Sequence, residues 1–183
     1  MTIRTPAIAA SLTTTRLNVQ IIWIMAFTAL TAVGAQIEIP HTPVPYTLQT
    51  FFVLLSGGLL GRRNGSLSQL LYLGIGACGL PVFSGMGFGL ARVLGPSGGY
   101  LLSFPVAAFT VGYLLSRPSS FLRTTLVMAI GLFIVFTLGT LQLNFLYYHN
   151  ITDAIANGFL IFSWWDVVKL LAASAIVSTI KRN

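Results

Sequence analysis

The chain reads as long apolar runs broken by short polar turns. A helix rises about 1.5 Å per residue and the hydrocarbon core of a bilayer is about 30 Å thick, so such runs predict spanning helices. Spans are expected over about 17–37, 47–60, 66–80, 98–116, 124–147 and 159–180. The second and third are short, covering about 21–23 Å each as helices. Short spans are tolerated where irregular protein or a water-filled cavity backs them. The connecting stretches have characters of their own. In 38-EIPHTPVPY-46 three prolines remove donors and block helix, which predicts a stiff, extended loop. The run Gly61-Arg62-Arg63-Asn64-Gly65 predicts a tight basic turn. The glycine-rich stretch 81-PVFSGMGFGLARVLGPSGGY-100 predicts a loop that folds closely over something, with Arg92 as its only charge. The segment 148–158 has a capping-type start and predicts a partial helix at the interface.

Composition agrees with this pattern. The chain is 55% hydrophobic and 7% charged, against about a quarter charged for a soluble domain. Mean hydropathy is +0.86. The expectation is an all-α integral membrane protein, a single domain over 1–183 built as a bundle of six transmembrane helices with structured outer loops. A net charge of +7 would suggest nucleic acid in a soluble domain, but here the basic residues lie in short turns and read as topology signals. With six spans, Arg4, Arg16, Arg62, Arg63, Arg117, Arg123, Lys181 and Arg182 fall on one side, eight of the ten basic residues, while Glu38 and Asp153 fall on the other. That predicts both termini in the cytoplasm, and the expected location is the inner (plasma) membrane of a prokaryote. The first sixteen residues lack the continuous apolar core of a cleaved signal peptide. The single cysteine, Cys78, excludes an internal disulfide and a cysteine metal cluster. For His41 a solvated loop position outweighs a metal or proton role, and no metal or cofactor is expected.

Three charges break the topology pattern. Arg92 lies in an outer loop, and Asp166 and Lys169 lie inside the last apolar run. A charge in the membrane costs at least a few kcal/mol, so its presence needs a reason. Three residues apart, Asp166 and Lys169 share one helix face. Either they neutralise each other or they face a cavity and bind a polar ligand. All three exceptions fall in the outer half, under the proline and glycine loops, which favours an outward-opening cavity. One carboxylate and two cations, lined by Tyr46, Tyr100 and Trp164 or Trp165, suit a small anion with an apolar body and a polar ring. The carboxylate accepts two N–H groups of a urea-like head, the lysine donates to its carbonyl, and the arginine takes the ligand's own carboxylate. Gln49 lies at the outer end of the second span. On the first span Thr28 and Ala32 make a small-xxx-small pair, suited either to packing within the chain or to a partner surface.

The run GMGFG does not make a nucleotide site, because the third glycine, the preceding strand and any Gly-Lys-Ser/Thr are missing. No serine–histidine pair or metal-ligand spacing lies in the spans, so an enzyme is not expected. Two classes remain. One is a substrate-binding transport subunit powered by partners. The other is a self-sufficient secondary carrier for a small carboxylate, coupled through Asp166, although such carriers are usually larger and built of repeats.

The runs 42-TPVPYTLQTFFVLLSGGLLG-61, 67-LSQLLYLGIGACGLPVF-83, 94-LGPSGGYLLSFP-105 and 165-WDVVKLLAA-173 closely resemble the BioY family, the biotin-binding S components of energy-coupling factor (ECF) transporters. The resemblance spans about Ala26 to Ala173. It implies a six-helix fold with a biotin pocket near the outer face, closed by the loop between the first two spans. It implies work with an ECF transmembrane coupling subunit and two ATPase subunits. The family's Asp-x-x-Lys matches Asp166 and Lys169, and a polar family position after the PVF run falls near Ser84. The expected substrate contacts are thus Asp166, Lys169, Arg92, Gln49, Tyr46, Ser84, Tyr100 and Trp165. The family's coupling face on the first span is Ala-xxx-Ala-like; this chain has Thr28 and Ala32 there, still small but not identical.

Overall fold

A computed structural model describes residues 17–160 and 164–182. Helix α1 is Leu17–Gln36. It buries Phe27, Thr28, Thr31, Gly34 and Ala35, the i, i+4, i+7, i+8 stripe of a helix packed on one side. Its other side is as apolar as the buried one: Ile21, Ile22, Met25 and Val33 are each more than half exposed. A side of that kind suits lipid rather than water. Next come two short strands, β1 (Glu38–Ile39) and β2 (Tyr46–Thr47), paired antiparallel with Glu38 opposite Thr47 and Ile39 opposite Tyr46. The proline stretch is therefore the tip of a hairpin, more ordered than the extended loop expected.

Helix α2, Gln49–Ala77, contains both short segments, 49–60 and 62–77. The expected five-residue turn is reduced to one residue. Gly61 sits at φ 78°, ψ 178°, and Arg62–Gly65 are already helical. Only glycine takes that φ without strain, so the reversal needs no longer loop. The two arms then run back along each other. Gln69 Nε2 donates to Ser56 Oγ at 3.2 Å, and Gln49 Nε2 donates to the Tyr72 hydroxyl at 2.7 Å. Gln69 also reaches Thr31 Oγ1 of α1 at 3.2 Å, a buried polar tie of the kind that joins helices in membranes.

The glycine-rich stretch is not an open loop. It holds a 3₁₀ turn, Ser84–Met86, and a short helix α3, Leu90–Leu94. Helix α4 (Gly98–Leu114) crosses the first arm of α2 so closely that a Cβ on Gly57 would lie 2.4 Å from Ala108 O. Helix α5 (Phe121–Leu143) begins where Ser120 Oγ accepts from Arg123 N at 3.4 Å, and a π turn over Asn144–Tyr148 extends it. Helix α6 (Ile151–Ala154) is capped by Asn150 Oδ1, which accepts from Thr152 N at 3.0 Å, and runs into a π turn, Ile155–Phe159. The last helix, α7, is Trp164–Arg182; of the expected span, 161–163 lie outside the described residues.

Two helical stretches, Leu17–Gln36 and Phe121–Tyr148, are long and apolar enough to cross a membrane, and Ile151–Phe159 with Trp164–Lys181 makes a bent third. Helix α4 is apolar but shorter. Multiple apolar helices packed on a shared core make this a multi-pass membrane protein. Its two ends differ in charge. At one end, Lys181 Nζ donates to Leu115 O, Arg123 Nη2 donates to Leu114 O at 3.5 Å, and the Arg62 guanidinium lies 5.7 Å from the Tyr113 ring centre. Arg4 and Arg16, assigned to the same side, lie outside the described residues. The hairpin, α3 and the start of α7 gather at the opposite end of α4, around Tyr100.

Candidate functional site

That second end holds a cavity of about 630 Å³, counting its open mouth. Its floor is apolar and comes from two helices and a loop: Leu101 and Phe104 of α4, Val135 and Phe136 of α5, and Phe83 from the glycine stretch. The polar groups stand around this floor on separate elements.

Helix α7 contributes Asp166 and Lys169, one turn apart and 3% and 4% exposed. Their Oδ1 and Nζ are 2.6 Å apart. The two sequence readings of this pair are not exclusive, since the residues are ion-paired and also line the cavity. Burying either charge alone would be costly; pairing and hydrogen bonding make the arrangement tolerable. Lys169 Nζ also donates to Thr50 Oγ1 at 2.7 Å and to Thr47 O at 2.9 Å.

Arg92 lines another part of the wall. Its Nη2 donates to Ser84 O at 3.2 Å and to Ser84 Oγ at 3.1 Å, which joins two residues the sequence singled out separately. Its Nε is buried and meets no acceptor among the described residues. Gln49, at the start of α2, is 4% exposed and held from both sides: its Oε1 accepts from Thr47 Oγ1 at 2.9 Å and its Nε2 donates to Tyr72. Tyr72 in turn donates to Val82 O at 3.1 Å. Tyr46 lines the mouth from β2, with its ring centre 4.9 Å from that of His41. Tyr100 lines the wall from α4, and its hydroxyl donates to Gly158 O at 2.8 Å, tying the cavity to the segment after α6.

Seven of the eight expected contacts therefore converge on one cavity. Trp165 does not line it. It precedes Asp166 by one residue, which turns it about 100° around the helix, and its ring packs edge-on against Trp164, itself 73% exposed. The two residues of the expected partner face on α1 are placed differently by the fold. Thr28 is 4% exposed and donates to Ser68 O at 2.9 Å, so it belongs to the chain's own core. Ala32 is half-buried at the edge of the same packing. Sequence reasoning missed Thr47, Thr50 and Ser97 in the cavity wall. For Thr47 and Thr50 the signal was their place on either side of Gln49 at the start of an apolar helix; Ser97 carried none. Among the described residues no cluster of His, Cys, Asp or Glu is placed to hold a metal.

A membrane-embedded helical bundle with a charged, apolar-floored cavity at one end defines a class: integral membrane proteins that bind a small amphipathic molecule. The comparisons narrow it. The BioY family model matches residues 8–183. A biotin transporter BioY from Thermotoga maritima is 45% identical over 156 residues, covering 85% of this chain and 92% of that one. A probable biotin transporter BioY from Pyrococcus horikoshii is 41% identical, covering 86% and 93%. The crystal structure of the S-component for biotin from an ECF-type ABC transporter aligns with a TM-score of 0.83 at 25% identity, over 93% of this chain and 95% of that one. The chain belongs to the BioY family.

Proposed function

We propose that this chain is the biotin-capturing membrane subunit of an ECF-type uptake system. The observation that carries the reading is the cavity itself, where Asp166 and Lys169 stand on one wall and Arg92 on another above an apolar floor. Biotin has a matching layout: a urea-like ring with two N–H donors and a carbonyl, an apolar body, and a carboxylate. Asp166 accepts from the ring N–H groups and Lys169 donates to its carbonyl. Arg92, with Nε still to be satisfied, takes the carboxylate, since buried donors normally find an acceptor. Gln49, Ser84, Tyr46 and Tyr100 complete the wall.

The topology that goes with this function has six spans: α1, the two arms of α2, α4, α5 and α7. Both termini face the cytoplasm, and the cavity opens outward. The arginine and lysine residues gathered at the far end of α4 support that orientation. Energy comes from partners, an ECF coupling subunit and two ATPase subunits, because the sequence carries no phosphate-binding motif. Ala32, half-buried on α1, is the residue retained from the expected docking face. Titration of the purified chain with biotin tests the reading. Saturable one-site binding is expected, and absence of binding by folded protein would sink it.

A further inference from the structure

An ammonium group has three hydrogens to donate. Three protein oxygens stand around that of Lys169: Asp166 Oδ1 at 2.6 Å, Thr50 Oγ1 at 2.7 Å and Thr47 O at 2.9 Å. They belong to three different pieces of the molecule. Asp166 is on the lysine's own helix. Thr50 is in the first turn of α2, which the bundle holds in place. Thr47 is the end of β2, the strand whose pairing with β1 makes the hairpin beside the cavity mouth. A pair of two-residue strands is far too short to be stable alone, so the hairpin takes its position from what it is fastened to.

We propose that Lys169 is the clasp of this hairpin, fastening β2 to α7 through the Thr47 carbonyl, and that Thr50 is the positioning residue that keeps the ammonium within reach of it. Thr50 does this without adding charge, so the balance between Asp166 and Lys169 is undisturbed. The other side of Thr47 is fixed as well, since its Oγ1 donates to Gln49 Oε1. A ligand acceptor engages Lys169 only by displacing one of its three oxygens. Of these, the Thr47 carbonyl is the one carried by the hairpin, whose end is otherwise held by Thr47 Oγ1 on Gln49 Oε1 and by Leu48 N, which donates to Gly34 O and Ile37 O at 3.0 Å. Ligand capture and hairpin fastening thus draw on the same ammonium hydrogens. This exchange deepens the biotin reading and rests on it, whereas the fastening itself does not.

The test is amide hydrogen exchange on the full chain in detergent, without biotin. Thr50→Val and Lys169→Met are expected to speed exchange at residues 38, 39 and 46–48 by about tenfold, the effect of losing one hydrogen bond to a charged group. Thr50→Ser keeps the acceptor and is expected to exchange like wild type. Amides in the middle of α5 should be unaffected in all variants. Unchanged hairpin exchange in Thr50→Val overturns the clasp, and so does a rise spread evenly over the chain, which would mean general loosening. If Lys169→Met does not fold, Thr50→Val decides alone, because it keeps every charge. Biotin titration of the same samples separates the two claims. Lack of binding by wild type would remove the biotin reading and leave the exchange result, and with it the clasp, standing.

Discussion

Asp166 and Lys169 are buried together and would be expensive to bury apart. Asp166→Asn keeps the shape and removes the charge. It should weaken biotin about tenfold to a hundredfold, since each charge-assisted bond is worth roughly 1.5–3 kcal/mol, and calorimetric titration measures this directly. Arg92 makes a finer prediction. If its guanidinium meets the ligand's carboxylate, Arg92→Gln should weaken biotin and spare biotin methyl ester; equal losses for both would assign Arg92 elsewhere. These charged residues were legible in the sequence because a charge in an apolar run is an anomaly that demands a reason. Thr50 was not. A threonine in a membrane helix is unremarkable by itself, and its role exists only because the fold brings it to a lysine 119 positions away. Trp165 is outside the cavity wall for the opposite reason: it neighbours Asp166 in sequence, while helical rotation turns it away.

At the scale of elements, the apolar segments and their order were legible, and what escaped was how they are joined and which way they face. The turn between the two arms of α2 shrank to Gly61, because a single positive φ reverses the chain. The small residues of α1 could not reveal their side from spacing alone. The Ser68 carbonyl decides it for Thr28. Ala32 is left at the edge, and it yields a prediction: Ala32→Trp should leave biotin affinity of the isolated chain intact while lowering ATP-driven uptake by the assembled transporter. Parallel loss of both, measured on one preparation, would place Ala32 inside the fold instead. Gly57 tests the packing itself. Its missing side chain lets the first arm of α2 approach Ala108 O, and an added Cβ would sit 2.4 Å from that oxygen. Gly57→Ala should therefore destabilise the bundle by about 1–3 kcal/mol, read as a lower melting temperature in detergent, despite alanine's better helix propensity.

On the scale of the whole molecule, charge is segregated along the bundle, with Lys181, Arg123 and Arg62 at one end and the Asp166–Lys169 pair with Arg92 lining the cavity at the other. Hydropathy and the positive-inside pattern carried this in the sequence, because both are one-dimensional traces of the membrane's own geometry. A reporter fused after Asn183 should be active only in its cytoplasmic form, and activity only outside would reverse the topology. The cavity's shape left no such trace, since its walls come from five separated stretches of chain. The most direct measurement on the central claim is biotin affinity of the purified wild type beside that of Asp166→Asn, Lys169→Met, a double variant that removes both charges and so leaves neither buried alone. If the pair binds ligand, wild type binds biotin at one site and the well-folded double variant binds it at least a hundredfold more weakly. Unchanged affinity in a well-folded double variant would mean that the two residues serve only each other.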